Sequence, residues 1–339
     1  IVTGHKSPDT DSICSSIALA RLKQLQGIDA IPGRAGEPNK ETAFALNYFH
    51  VEPQQLIKDF YVKVGEVTHT DVEPLKVSAS LKDAAQWFAT HPASIAPVAD
   101  NGAFRGVIDR TALAEEFIKT VTGQELSMVK DLMHDPDVFF STSDRACDLP
   151  EEGQVVVVDD GKYVGMTCAA CAAGVEKQKV FLVDHNEKKQ IIDGIDDAEI
   201  IGVVDHHRIG GTLATDGPIF ILFRPVGCSA TIVTGLYKQA GVAIPKEIAG
   251  LLLSAVISDT VLFRSPTCTE EDKAAAHELA AIAGVDIEKY GMELLKAGAN
   301  VSDLTPEQIT KNDMKEFSDG NITFTIAQVQ VMDVSDLLA

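Results

Sequence analysis

Ile200-Ile201-Gly202-Val203-Val204-Asp205-His206-His207 is an apolar run of strand length that stops on a carboxylate and two imidazoles. Such a run, short and rich in β-branched residues, reads as a strand covered on both faces, the kind used in parallel sheets. Val180-Phe181-Leu182-Val183 ends in the same way on Asp184-His185-Asn186. Ile1-Val2-Thr3-Gly4 leads into His5-Lys6-Ser7-Pro8-Asp9-Thr10-Asp11-Ser12, and an apolar stretch closes on Ser258-Asp259-Thr260. Ligands of open α/β sheets gather beyond the carboxyl ends of the strands, so these four clusters are expected to meet. Imidazole nitrogen mixed with carboxylate oxygen suits Mn²⁺, Co²⁺ or Mg²⁺ better than the thiolate-rich sets of structural zinc. A two-metal hydrolytic site is the expectation.

At 339 residues the chain predicts two or three domains, and 45% hydrophobic content supports packed cores. A net charge of -21 argues against nucleic acid as a partner, because phosphate-backbone binding rests on clustered Lys and Arg. Any phosphate handled here needs local neutralisation, which divalent ions supply. Six cysteines, irregularly spaced, do not form a secreted disulfide framework, and a reducing cytoplasm is expected. The lone Cys168-x-x-Cys171 pair lies among alanines and is expected to be small core residues. No apolar stretch approaches about 18 residues and no leader opens the chain, so no membrane association is expected. The chain begins at Ile1 inside a strand and stops at Ala339 as a new domain starts, so both ends are expected to be incomplete.

Along the chain, a strand from Ile1 to Gly4 and a helix from Ser12 to Gly27 are predicted, with His5, Asp9 and Asp11 in the loop between them. Asp9 and Asp11 also suit a helix N-cap. From about Tyr61 to Glu176 the pattern changes to strand, turn, strand around Asn101-Gly102, and the same grammar returns around Asp160-Gly161. Two copies of one motif make an internal repeat. Strands near 180–184, 200–204 and 219–223 and helices at 229–240, 247–258 and 270–283 then resume the α/β pattern. The helix ending at Asp259 is apolar nearly all round, as a buried helix would be. A short helix within 305–317 and a strand at Ile322–Ile326 close the chain.

GHKSPDTDS, VDHNE, VVDHH and SDT, in this order, resemble the DHH phosphoesterases, and among them the family II inorganic pyrophosphatases. The resemblance covers about 1–60 and 177–325. It implies a parallel-sheet DHH catalytic domain (1–62 and 177–297) interrupted by an insert at 63–176. A linker (298–306) would lead to the start of a C-terminal α/β substrate-binding domain (307–339). It implies that His5 and Asp9 hold one metal and Asp11, His206 and Asp259 the other, with Asp184 bridging. His207, Asp205 and Lys315 would be the catalytic residues, His207 beside the substrate and Lys315 on a phosphate. His185 stays open between supporting a ligand and a structural role, and His50, His69, His91, His134 and His277 are expected at the surface or with satisfied partners. Implied partners are pyrophosphate, two tightly bound Mn²⁺ or Co²⁺, substrate-borne Mg²⁺ and a second copy of the chain.

The insert resembles a pair of cystathionine-β-synthase-type (CBS) domains, an α+β module that senses AMP, ADP or ATP. In that pattern a Gly is followed by two apolar residues, a Ser or Thr, and an Asp three further on. Asp109 and Ala112 fill the last two positions after Gly106, and Cys168 and Cys171 fill them after Gly165. The Ser-Arg-Lys clamp of the family's C-terminal domain is not in this sequence. Two rival readings are a DHH nuclease or nucleotide phosphatase, and a nucleotide sensor with a vestigial phosphatase site.

Overall fold

The apolar runs form a six-stranded sheet in which every neighbouring pair is parallel. This computed structural model describes residues 1–121, 123, 127–299, 314–319 and 322–327. The chain opens with β1 (Val2–Thr3), α1 (Thr10–Leu25), β2 (Pro32–Arg34), α2 (Lys40–Tyr48) and β3 (Gln55–Leu56). Next come α3 (Leu81–Thr90), β4 (Ile95–Asp100), β5 (Ala103–Asp109), α4 (Arg110–Val121), α5 (Val129–Leu132), β6 (Phe139–Phe140), β7 (Val155–Asp159), β8 (Lys162–Thr167) and α6 (Ala169–Ala172). The large sheet resumes with β9 (Lys179–Val183), β10 (Glu199–Asp205) and β11 (Phe220–Phe223), followed by α7 (Ser229–Ala240), α8 (Lys246–Thr260), α9 (Glu270–Ala283) and α10 (Ile287–Ala299). Last is an antiparallel pair, β12 (Met314–Asp319) and β13 (Ile322–Ala327). Two compact units result, Ile1–Phe60 with Gln178–Ala339, and Tyr61–Lys177.

In the first unit the strand order is β11-β10-β9-β1-β2-β3. The chain builds outward from β1 in one direction and, after residue 177, outward from β9 in the other. That reversal is the topological switch point where ligands of open parallel sheets bind. Thr3 lies opposite Leu182 and Val183 opposite Val204, so the segments after β1, β9 and β10 leave the sheet at one level. Both faces of β9 are covered: Phe181 and Val183 pack with α1, α7 and α8, and Val180 and Leu182 with Phe60, Ile191, Ile192 and Val203. Helix α8 is buried continuously from Ile248 to Ile257 because α1, α2, α7, α9 and α10 all pack against it. The Phe49 ring fills the space where a Cβ on Gly250 would sit, 2.3 Å away.

The second unit has a five-stranded sheet, β4-β5-β8-β7-β6. Two antiparallel hairpins, β4-β5 and β7-β8, meet where Ala103 pairs with Lys162. Both turn on two residues of positive φ, Asn101-Gly102 and Asp160-Gly161, as a type I′ hairpin demands. The copies differ in their helices: α3 and α4 flank the first hairpin, while the second has a single 3₁₀ turn at Ala146–Asp148 and the four-residue α6.

Three expectations need correction. Asp11 is not in a loop: α1 starts at Thr10, because the Asp9 carboxylate caps it by accepting from Ser12 N at 2.9 Å. Residues 314–317 are strand rather than helix, the alternation from Met314 to Asp319 pairing with β13; the rest of 305–313 lies outside the described residues. Cys168 and Cys171 are only partly buried at the end of β8, Cys171 packing against the core around Val155 and Val157, and their sulfurs face each other. Among the described residues no helix is long and apolar enough to cross a membrane. Leu252 is fully buried among the packed helices. Leu252→Ala is expected to cost about 2–5 kcal/mol through the cavity it leaves, read as a lower denaturant midpoint of the first unit.

Candidate metal centre

Six side chains from four segments converge at the switch point. His5 follows β1, and Gly4 before it lets the chain pass so close to α1 that a Cβ there would lie 1.8 Å from Ser12 Oγ. That hydroxyl accepts from His5 N at 3.0 Å. Asp9 and Asp11 sit at the N-terminus of α1. Asp184 ends β9 with φ at 67°, a left-handed conformation that Asp tolerates better than most residues and that signals local constraint. His206 follows β10, and Asp259 lies in the last turn of α8. That helix ends on three successive left-handed residues, Val261, Leu262 and Phe263.

Three overlapping groups emerge from the distances; one, Asp184 with His206 and His207, shares residues with the other two. His5, Asp9 and Asp184 place one ligand atom each within 4.8 Å of one another, as do Asp11, His206 and Asp259. Asp184 spans them: its Oδ2 is 3.5 Å from His5 Nε2 and its Oδ1 is 3.3 Å from His206 Nε2. Asp184 is 1% exposed, and its Oδ2 has no hydrogen-bond partner among the described residues. A buried carboxylate oxygen left without a donor is costly unless a cation takes it. His206 Nδ1 lies 3.1 Å from the Val226 carbonyl, so it carries the proton and leaves Nε2 as a ligand atom. Hard oxygen and imidazole nitrogen in this ratio suit Mn²⁺, Co²⁺ or Mg²⁺.

Electrostatics agree with that fit. Burial and the Asp184 charge push Asp11 up to about 7, and burial with Asp11, Asp9 and Asp184 raises Asp259 well above the carboxylate range. Burial opposes the charge on His5 and His206, yet the adjoining carboxylates prevail and push them up to about 10 and about 9. Burial likewise opposes the charge of Asp184, which the two imidazoles nonetheless hold far below its usual range. His185 is driven down to about 4 by burial and is neutral; its Nδ1 donates to the Val183 carbonyl at 2.8 Å.

Four further residues, none of them among the candidate ligands read from the sequence, act on this cluster. Ser229, at the start of α7, donates its Oγ to Asp184 Oδ1 at 3.0 Å and its N–H to Asp11 Oδ2 at 2.6 Å, while Ala230 N reaches Asp11 Oδ1. A helix N-terminus thus holds Asp11. Glu41 Oε1 accepts from Thr10 and Ser258, neighbours of three candidate ligands. Asp272, fully buried, accepts from Gly227 N and fixes the loop that offers Val226 O to His206. Asn186 donates to Asp205 Oδ2 at 2.6 Å. A serine opening a helix was the one legible signal among these.

His207 is half-exposed, with Nδ1 2.9 Å from Asp205 Oδ1 and 3.6 Å from Asp184 Oδ1. Asp205 is fully buried and also accepts from His207 N, so it orients His207 rather than facing a substrate. The Asp205 bond raises His207 against the effect of burial. Lys315 lies on β12, opposite Ile326, away in sequence from every ligand segment.

The DHH family, N-terminal domain, matches residues 1–256, and the DHHA2 domain matches 292–339. A Bacillus cereus protein named "Probable manganese-dependent inorganic pyrophosphatase" is 36% identical over 338 residues, covering 100% of this chain and 72% of its own length. The chain belongs to the family II inorganic pyrophosphatases of the DHH family. A Brevibacillus brevis family member of the same name is 35% identical over 339 residues, 73% of its length. The crystal structure of a proposed family II inorganic pyrophosphatase from Methanococcus jannaschii aligns over 99% of this chain and 74% of that one, with a TM-score of 0.58 at 29% identity.

Protons and metal compete for this centre. Mn²⁺ affinity is expected to rise with pH from 6 to 9 with proton release, measured by calorimetry in buffers of different ionisation enthalpy. Histidines raised from 6.5 contribute stability that is complete below pH 6.5 and is lost as pH climbs through about 9 and 10. Asp11, raised from 3.8 to about 7, acts in the same direction up to pH 7. The metal-free protein should therefore melt at progressively lower temperature between pH 6.5 and 10. Ser229→Ala is expected to weaken Mn²⁺ binding about tenfold in equilibrium dialysis, through loss of its bond to Asp184.

Proposed function

We propose that the protein hydrolyses inorganic pyrophosphate to two phosphates, using two tightly bound Mn²⁺ or Co²⁺ ions and Mg²⁺ that arrives with the substrate. Asp184 carries the reading: one buried carboxylate turns an oxygen to each of two ligand groups. His5 and Asp9 would hold one ion, Asp11, His206 and Asp259 the other, and Asp184 both. A pair of divalent ions neutralises phosphoryl charge and lowers the pKa of water toward neutrality. Around it, the residues of the chain position and supply protons. Asp205 accepts from His207 Nδ1–H and favours the imidazolium, whose Nε2–H can then donate to a phosphoryl oxygen. Ser229 and the amides of α7 hold Asp11 and Asp184 in register. Lys315 is assigned to a substrate phosphate. The strongly acidic balance of the chain disfavours the nuclease rival.

Mn²⁺-loaded protein should release phosphate from pyrophosphate. Asp184→Ala should lose both tightly bound ions by metal analysis and lower turnover by about a thousandfold or more. Two ions retained in that variant would refute the assignment.

A second reading concerns residues 61–177, which we propose are a CBS pair regulating the enzyme through adenine nucleotides. The repeated hairpins with matched Asn-Gly and Asp-Gly turns support it. AMP and ADP are expected to lower turnover and ATP to raise it. Equilibrium dialysis against labelled AMP tests the binding, and an absence of saturable uptake would leave the insert without this role.

A further inference from the structure

The second hairpin of the insert ends in chemistry that neither pyrophosphate hydrolysis nor nucleotide binding uses. Cys168 follows β8 directly and Cys171 lies one helical turn on, so their side chains share a face. Their sulfurs are 2.8 Å apart, and His69 Nε2 is 3.6 Å from Cys171 Sγ. Both cysteines are partly buried rather than enclosed, which leaves some surface open to a small reagent.

The surrounding backbone holds the three groups rigidly. His69 and Met166 exchange two backbone hydrogen bonds, 2.9 and 3.2 Å, two residues before Cys168. Thr167 Oγ1 donates to the Val67 carbonyl at 2.7 Å in a buried setting. Gly165 lets the His69 strand approach so closely that a Cβ would lie 2.3 Å from His69 O. The equivalent place in the first copy shows a different pairing. There Gly106 packs on His134 O, and His134 Nε2 pairs with Asp109 at 2.7 Å. Each copy sets an imidazole beside the residue group that follows its hairpin, but only the second supplies thiols.

We propose that Cys168 and Cys171 are a reversible dithiol–disulfide couple, a redox-modification site of the insert in which Cys171 is the attacking thiol. The oxidant is a low-molecular-weight disulfide, RSSR. The Cys171 thiolate attacks one sulfur of RSSR, forming a mixed disulfide as the RS–SR bond breaks and RS⁻ leaves. Cys168, its proton lost to His69 or solvent, then attacks Cys171 Sγ and expels the second RS⁻. Two protein thiols are oxidised to one disulfide and RSSR is reduced to two RSH. Burial raises the Cys171 thiol, but hydrogen bonds from Cys168 and His69 outweigh it and leave Cys171 below the ordinary thiol range, with Cys168 above it. That asymmetry is the one a CxxC couple needs, since the thiolate is the nucleophile.

The full chain is equilibrated with graded mixtures of reduced and oxidised glutathione, quenched with an alkylating reagent and read by mass spectrometry. Cys168 and Cys171 are expected to lose reactivity together in a single two-electron transition and to regain it with dithiothreitol. In Cys168→Ser, Cys171 should accumulate as a glutathione mixed disulfide, whereas Cys171→Ser should leave Cys168 mostly unmodified. Capture rates in the unsubstituted chain do not depend on how those variants fold: Cys171 should alkylate about tenfold faster than Cys168 at pH 7, and His69→Gln should remove most of that difference. Two cysteines that alkylate at equal rates and oxidise independently at every poise would overturn the proposal. So would protection that appears with added Zn²⁺ and not with glutathione disulfide, which would make the pair a thiolate metal site.

Discussion

Four carboxylates forced close together at the centre of a parallel sheet are the constraint on which the first unit depends. Asp9, Asp11, Asp184 and Asp259 repel one another, and burial deepens the cost of their charge. Two imidazoles, the amides opening α7 and the hydroxyls of Ser15 and Ser229 offset part of that cost. What is left over is a negative centre with an oxygen that no donor reaches among the described residues. Divalent cations would complete it, and the same excess of charge that destabilises the metal-free fold would give the ions their affinity.

The architecture explains how such a centre is held. A switch point between β1 and β9 sets two strand ends side by side, so His5 and Asp184 meet without either being on a long loop. Helix α8 reaches the same level from the other side of the core, and it has no polar face to lose because helices surround it. Outer partners then remove the remaining freedom: Asp272 fixes the Gly227 loop, Val226 fixes the tautomer of His206, and Asp205 orients His207. The insert follows β3, an edge strand, and the chain re-enters the sheet at β9, an inner one.

The candidate metal ligands were legible in the sequence for a definite reason. His5, Asp184 and His206 each lie just past an apolar run that forms a strand, and strand ends of a parallel sheet share one edge, while Asp9 and Asp11 open the helix after β1 and Asp259 closes α8. The supporting residues were not legible, because nothing local marks them. Glu41 is an ordinary acid on a helix until α2 meets the start of α1 and the end of α8. Cys168 and Cys171 read as small apolar residues among alanines, and only the folded end of β8 shows their sulfurs facing each other beside His69. Lys315 was read on a helix because a single lysine carries no periodicity, whereas the alternation around it pairs with β13.

By itself the sequence determined the fold class, the repeat in the insert and the identity of the residues that can hold metal, since these follow from periodicity, turn chemistry and donor type. Only the tertiary structure set the distances within the groups that the family resemblance implied, with an Asp184 oxygen near an imidazole of each. It also made Asp205 the buried partner of His207, and it brought a thiol pair to an imidazole 102 positions away. The physical reason is common to all three: hydrogen-bond and ligand geometry depends on distances of a few ångströms between segments far apart in the chain, which only packing sets.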